Sequence, residues 1–513
     1  MESTTNNKDT KRIAKNTAFL YVRMLFVMAV TFYTSRVILD VLGVEDFGIY
    51  NVVGGFAIMF VFFRSSLANV TQRCLNIALG KKDYIEAEKV FSQHQSLYIL
   101  MVLVVLVIAE TLGLWMVKHI LVIPEERLIA AIWVYQFAIV SLVLTLLSVV
   151  YESAIIAHED MKVYSYLGVY EGLAKLVVAF LISASPFDKL IVYAALLALV
   201  SVSVILFYRY WCRKYYQECK FYVTWDKSRV KEAFGLISWN TIGTAVYAIN
   251  NQGINILLNL YFGPVVNAAR GIAFQLDNGI NNFGMNFYTS VRPQLTKSYA
   301  TGDFDYMFSL FYKTSKYSVF LMWILCLPLI LSIDVVLNLW LIKVPEHTNT
   351  FTILVLTYSL INILNTPIWS LALAIGKLKY YILIGSLVFL SAFPFSWIFL
   401  HFGYAPESVF FVILFVRSVY IVVVLFIIRQ YIPLSLIRYW KEVLRPSLLV
   451  ILVTGSICIC FSLIVPYTFG GRLIVITFSL LVIFTGIVWI GLQKEERTQL
   501  FGLVRNKIQT LRK

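Results

Sequence analysis

Long apolar runs alternate with short polar ones along almost the whole chain. Crossing the hydrocarbon core of a bilayer takes about 20 predominantly apolar residues in a helix. Runs of that kind lie near 16–40, 47–70, 95–117, 128–155, 163–185 and 190–210. A second set lies near 234–262, 264–290, 315–341, 350–374, 380–401 and 407–428, and a final pair near 443–466 and 473–492. The pattern predicts an all-α polytopic membrane protein with about fourteen transmembrane helices. The longest polar segment runs from about Trp211 to Lys231, too short to fold as a soluble catalytic domain.

The two sets of six runs resemble each other at an offset near 220. Leu42-Gly43 matches Phe262-Gly263, and Arg73 to Asp83-Tyr84 matches Arg292 to Asp303-Phe304 with one residue of gap. Ala157, Lys162 and Tyr164 match Ala374, Lys379 and Tyr381. Six spans per half is an even number, so both halves enter the membrane in the same sense. This predicts two six-helix lobes related by a parallel pseudo-twofold repeat, a transporter architecture with its site between the halves. The division is an N-terminal lobe at 1–212, a cytoplasmic linker at 213–232, a C-terminal lobe at 233–432, and helices 13 and 14 with a cytoplasmic tail at 433–513.

Composition supports the pattern. The chain is 60% hydrophobic and 14% charged, against roughly 25% charged in soluble domains. Its net charge of +15 is mostly topology. Of the 43 Lys and Arg residues, five (Lys118, Arg127, Lys189, Lys343 and Arg472) fall in outer loops and six lie well within spans, which leaves 32 for the inner segments and the inner ends of spans. That asymmetry predicts cytoplasmic termini and removes the need for a nucleic-acid partner. The polar start MESTTNNKDTKRIAKN lacks the form of a cleavable signal, so the first span is expected to be an uncleaved anchor. Cys458 and Cys460 lie in an apolar run and are expected to be small core residues. The five histidines show no metal-ligand spacing.

Candidate chemistry therefore lies inside the spans. A mid-span charge costs roughly 2.5–3.5 kcal/mol to insert, so Arg23, Arg36, Arg64, Lys175, Arg270 and Arg417 each need an explanation. Arg36 with Asp40, and Glu171 with Lys175, stand at i, i+4 and form expected structural pairs. Arg64 and Arg417 lie near helix ends, where long side chains reach the interface. Arg23 and Arg270 are harder to place. Arg270 shares a face of the eighth span with Asn267, Asp277 and Asn281, and Asn240, Thr244, Asn251, Asn255 and Asn259 form a stripe on the seventh. Two functions fit these stripes: interhelical hydrogen bonding at roughly 1 kcal/mol per contact, or a hydrated cavity for a sugar-like cargo. In such a cavity, arginines would grip phosphate through forked hydrogen bonds.

TSRVILDVLGVEDFGIYNVVGG (34–55), TQRCLNIALGKKDY (71–84), NAARGIAFQLDNGINNF (267–283) and VRPQLTKSYATGDFD (291–305) resemble the corresponding regions of bacterial polysaccharide flippases of the Wzx type. These O-antigen and capsule repeat-unit transporters belong to the multidrug/oligosaccharidyl-lipid/polysaccharide exporter superfamily. The resemblance implies an inner-membrane flippase carrying undecaprenyl-diphosphate-linked oligosaccharide by alternating access, in lipopolysaccharide or capsule export. It would work beside a polysaccharide polymerase and chain-length machinery, and need no cofactor beyond a coupling proton or sodium ion. Related lipid II flippases use arginines on helices one, two and eight and an aspartate at the end of helix one. Arg23, Arg270 and Asp40 match by place, whereas Arg64 lies later on span two than its counterpart. Arg23, Arg270, Arg36 and Arg64 are the diphosphate candidates, and Asn251, Asn255, Asn267 and Asn281 the polar cavity contacts. Asp40, Asp277, Glu152 and Glu171 are the coupling-ion candidates. No covalent chemistry is needed, so the chain is not expected to be an enzyme. The rivals are a cation-coupled multidrug antiporter on the same fold, an integral-membrane polymerase or acyltransferase, and a structural scaffold.

Overall fold

The structure is a computed structural model that describes residues 2–158, 160–222, 227–376 and 378–498; side chains of 2–23 and 227–241, and some within 56–69 and 286–300, lie outside the description. The described residues are almost entirely helical. The helices that carry the argument are α1 (Glu2–Ile58), α2 (Phe62–Gly80), α3 (Tyr84–Ile108), α4 (Leu128–Ala157), α5 (Met161–Ser183), α6 (Lys189–Tyr215) and α7 (Lys227–Phe262). They continue with α8 (Pro264–Ala300), α9 (Phe304–Leu331), α10 (Thr348–Asn362), α11 (Leu378–Leu390), α12 (Glu407–Arg429), α13 (Arg445–Ile464) and α14 (Phe469–Gly486). Among the described residues, eleven helical segments are long and apolar enough to cross a membrane. Large side chains such as Val107, Phe415 and Leu463 are exposed on them. In water such a surface would aggregate; against hydrocarbon it is at home. The protein is a multi-pass membrane protein.

Two breaks in the helices have a backbone cause. Gly43 has φ 79° and ψ 171°, which ends one helical run inside α1 and starts another. Gly263, at φ 75°, separates α7 from α8, and Pro264 opens the new helix, where a missing N–H costs nothing. Only glycine takes such angles without strain.

These two glycines stand 220 positions apart, and the spacing recurs. Lys82 and Gly302 both have positive φ. The next residues, Asp83 and Asp303, cap α3 and α9 by accepting from the N–H groups of Glu86 and Tyr306. Both helices therefore start eleven residues before the apolar runs at 95 and 315, because the caps and not the membrane edge begin them. Arg127, just before α4, donates from Nη1 to Asp188 at the N-cap of α6 at 2.5 Å. The matching His347, just before α10, lies 2.6 Å from Glu407 at the start of α12. The duplication extends from motif spacing to the contacts that tie the helices.

The chain forms two compact units. One comprises 1–271 with 340–346 and 396–406; the other comprises 272–339, 347–395 and 407–513. The first unit thus runs past the 213–232 segment and takes in α7 and the first turns of α8. Its core has two apolar clusters, one around Val134, Tyr135 and Ile139 and one around Phe91, Val149 and Ile155. The second unit is built around Phe311, Leu371 and Val424, with α13 and α14 joined to α9 through Phe320, Trp323, Val450 and Ile483. Cys458 is buried there as expected. Cys460 is exposed: two residues along a helix is a rotation of about 200°, which turns it to the opposite face.

Candidate functional site

In the first unit, α7 and the start of α8 meet along a ladder of amides. Asn251, Asn255 and Asn259 recur every fourth residue, so they lie on one face of α7. Each holds one partner. Arg270 donates from Nη2 to the side-chain oxygen of Asn251 at 2.6 Å and to its carbonyl at 3.1 Å. Asn267 donates to the carbonyl of Asn255 at 2.7 Å and to its side-chain oxygen at 2.9 Å. Asn259 brackets Val122 in the loop after α3, accepting from its N–H at 2.8 Å and donating to its carbonyl at 3.2 Å.

Asn255, Asn267 and Arg270 are buried, and Asn251 is half-buried. Asn255 and Asn267 are turned to each other, which is the interhelical bonding that amides make in membranes. Arg270 is a cation 6% exposed on α8, and the two oxygens that receive its Nη2 are neutral.

Arg64, placed near a helix end by the sequence, has a specific partner. Its Nη2 lies 2.6 Å from Glu152 on α4. A diphosphate candidate and a coupling candidate are therefore one ion pair, joined across 88 positions of sequence. Glu171 and Lys175 pair at 2.6 Å as their spacing predicts. They line a cavity of about 260 Å³ with Tyr50, Asn51, Thr145 and Ser201. Arg36 is half-buried and Asp40 exposed. The side chain of Arg23, like that of Asn240, lies outside the described residues.

The second unit holds a separate polar centre. Asp277, 5% exposed on α8, accepts a hydrogen bond from the hydroxyl of Ser359 on α10. Asn281, half-buried one turn further along, donates to the same hydroxyl at 3.0 Å. Among the described residues, no cation pairs with Asp277. Arg270 and Asp277 share a helix, but one bonds to α7 and the other to α10.

Sequence reasoning named Arg417 but not its burial or its partner. Arg417 on α12 does not extend to the interface: it is 6% exposed, donates to Asn362 at 2.5 Å and stacks over the Tyr420 ring at 4.5 Å. It missed Lys316, buried on α9 and 2.6 Å from Glu496. No local signal marks either, since their partners lie 55 and 180 positions away. The Arg127 and His347 ties were accessible through the repeat offset.

The long apolar helices define a polytopic membrane protein. The chain belongs to the polysaccharide biosynthesis protein family, which matches residues 13–298, more than half its length. Among solved structures it is similar to the lipid II flippase MurJ in an inward closed conformation, at 16% identity over 92% of this chain and 98% of that one, with a TM-score of 0.66. It is also similar to a multidrug resistance MATE transporter of the MOP superfamily in an inward-facing conformation, at 14% identity over 80% and 94% of the chains, with a TM-score of 0.61. A MOP superfamily transporter from Pyrococcus furiosus, with a binding pocket of reverse polarity, matches at 14% identity over 81% and 95%, with a TM-score of 0.59. No curated protein matches the chain.

Proposed function

We propose that this protein flips undecaprenyl-diphosphate-linked oligosaccharide repeat units from the inner to the outer leaflet of a bacterial inner membrane, with both termini in the cytoplasm. It moves them by alternating access, for surface polysaccharide export. The family match supports the polysaccharide pathway, and likeness to a flippase fold supports a lipid-linked cargo. The observation that carries the reading is Arg270, a buried guanidinium held by two neutral oxygens of Asn251. A diphosphate adds charged oxygens to a guanidinium that Asn251 holds in orientation, so binding favours the ligand. Arg23, Arg36 and Arg64 are the further diphosphate contacts. Asn251 and Asn281, each half-buried, remain available to sugar hydroxyls.

Of the coupling candidates, Asp277 fits best. Glu152 and Glu171 each hold a basic partner, and Asp40 is exposed. Asp277 is a buried carboxyl whose hydrogen-bond partners are neutral, an environment in which gaining and losing a proton or sodium ion changes the local energy strongly. The protein is a transporter and makes or breaks no covalent bond in this scheme.

The test is Arg270→Ala in cells that make surface polysaccharide. Export should fall to near zero, and Arg270→Lys should restore part of it, because an ammonium lacks the fork. Normal export by a properly inserted Arg270→Ala protein overturns the diphosphate role. For coupling, Asp277→Asn should abolish the ion dependence of transport; unchanged dependence removes Asp277 from the scheme.

A further inference from the structure

We infer that the cavity inside the first unit is a subsite for one neutral sugar ring of the cargo. The inference rests on the flippase reading above and adds a second place that holds the cargo, apart from the arginines.

The cavity lies between α1, α4, α5 and α6, all within the first unit. Small residues make room for it: Gly54 on α1, Ala138 on α4 and Ala194 on α6. Packed interiors hold few voids larger than a water, so a space of about 260 Å³ needs a reason. The second repeat shows that the fold does not impose it. At the spacing that carries Asp188 to Glu407, the wall residue Ser201 becomes Tyr420, and Ala198 becomes Arg417. Tyr420 packs against Gly385, where a Cβ would meet its ring at 2.9 Å, and carries the Arg417 guanidinium at 4.5 Å. Large side chains stand in the second unit where the first has small ones.

The walls select a class of occupant. Glu171 and Lys175 pair at 2.6 Å, so the lining carries no net charge and draws in neither an anion nor a cation. Ser141 and Ser201 donate to the carbonyls of Phe137 and Leu197, and their oxygens remain as acceptors. An ammonium has three donors, and Lys175 commits one of them to Glu171. Tyr50 and Phe137 add aromatic surface. A pyranose matches this mixture, because each of its hydroxyls donates and accepts while its faces are C–H. The volume sets the count. It equals that of about nine waters at roughly 30 Å³ each, and falls just below the roughly 300–1,000 Å³ of sites for drug-sized ligands. That is room for one ring and not for two.

The experiment measures binding to the full-length protein in lipid nanodiscs. The probes are undecaprenyl diphosphate, the same lipid carrying one glucose, galactose or N-acetylglucosamine, and the methyl glycosides of those sugars. In the wild type, at least one lipid-linked sugar should bind about tenfold more tightly than the bare lipid. A Cβ at Gly54 meets only a Tyr50 ring carbon, at 4.0 Å. Gly54→Leu therefore fills the cavity without touching backbone, and should shrink that affinity ratio to within about twofold. Gly54→Ala leaves most of the space and should keep most of the ratio. Thr145→Val with Lys175→Gln removes donors at nearly constant volume, and should cut the ratio to about threefold or less. This double variant decides the matter should Gly54→Leu not insert. A wild type that binds every lipid-linked sugar no better than the bare lipid overturns the subsite, the cavity then holding water only. An inserted Gly54→Leu that keeps the full ratio also overturns it and leaves the flippase reading intact. Binding of a methyl glycoside that Gly54→Leu abolishes, with no binding of any diphosphate lipid, keeps the sugar site and overturns the flippase reading.

Discussion

His347 Nδ1 lies 2.6 Å from Glu407 Oε1, at the place in the second repeat where Arg127 meets Asp188 in the first. Each contact ties the start of one helix to the start of the helix two further on. Arg127 additionally grips Asp46 at 2.5 Å, so it serves two carboxylates at once. His347 carries a second constraint, a left-handed φ of 66°. Replacing it with alanine removes the tie and keeps the strained backbone; glycine removes the tie and relieves the strain. His347→Gly should therefore be more stable than His347→Ala by about 1 kcal/mol. Thermal unfolding of the two variants in one detergent measures this, and an alanine variant as stable as the glycine one contradicts it.

Gly48 marks a close approach between α1 and the start of α8. A Cβ there would sit 1.9 Å from the carbonyl oxygen of Pro264, a backbone atom with no rotamer to give way. Gly48→Ala should destabilise the first unit by about 1–3 kcal/mol through forced separation of the helices. Gly80, where a Cβ meets open space, is the control, and Gly80→Ala should leave the unfolding temperature unchanged or slightly raised. Equal effects at both positions would show that the close approach is not tight.

Asn251 positions the Arg270 guanidinium through two oxygens. Asn251→Leu removes the side-chain acceptor and leaves the carbonyl. A hydrogen bond to a charged group contributes about 1.5–3 kcal/mol, so polysaccharide export should drop roughly tenfold or more. Asn251→Gln, which keeps an amide oxygen, should recover part of it. Full export in Asn251→Leu would mean that Arg270 needs no such orientation.

Glu496 gives a pH-dependent stability. Burial pushes its carboxyl up, but the Lys316 ammonium, the Gln493 N–H and the Tyr317 hydroxyl outweigh this and hold it below the ordinary glutamate value. A carboxyl lowered in the folded state contributes stability above its unfolded value, and that contribution is lost as pH falls through its folded one. At neutral pH, Glu496→Gln should be less stable than wild type by about 3 kcal/mol, since it leaves the buried Lys316 without its carboxylate. The gap should narrow once the pH drops below about 4. A gap constant from neutral to acid pH would contradict the pairing.

Much of this protein is legible in one dimension. Spans announce themselves because hydrocarbon demands long apolar runs, and the duplication announces itself because two copies keep their spacing. Gly43, Gly263, Asp83 and Asp303 act on their own backbone or the next turn, so their roles follow from position. The Glu171 and Lys175 pair, one helical turn apart, is likewise local.

The functional candidates divide along the same line. Sequence alone determined that charges and amides stand on particular helices among long apolar runs, because composition and period are properties of a single strand of text. Only the tertiary structure decided who meets whom. It set Arg64 on Glu152, Arg270 on Asn251, Asn267 on Asn255, and Asp277 on Ser359. The physical reason is that a helix's period fixes which residues share a face. The rotation of that face toward one neighbour or another is settled by packing with helices far away in the chain.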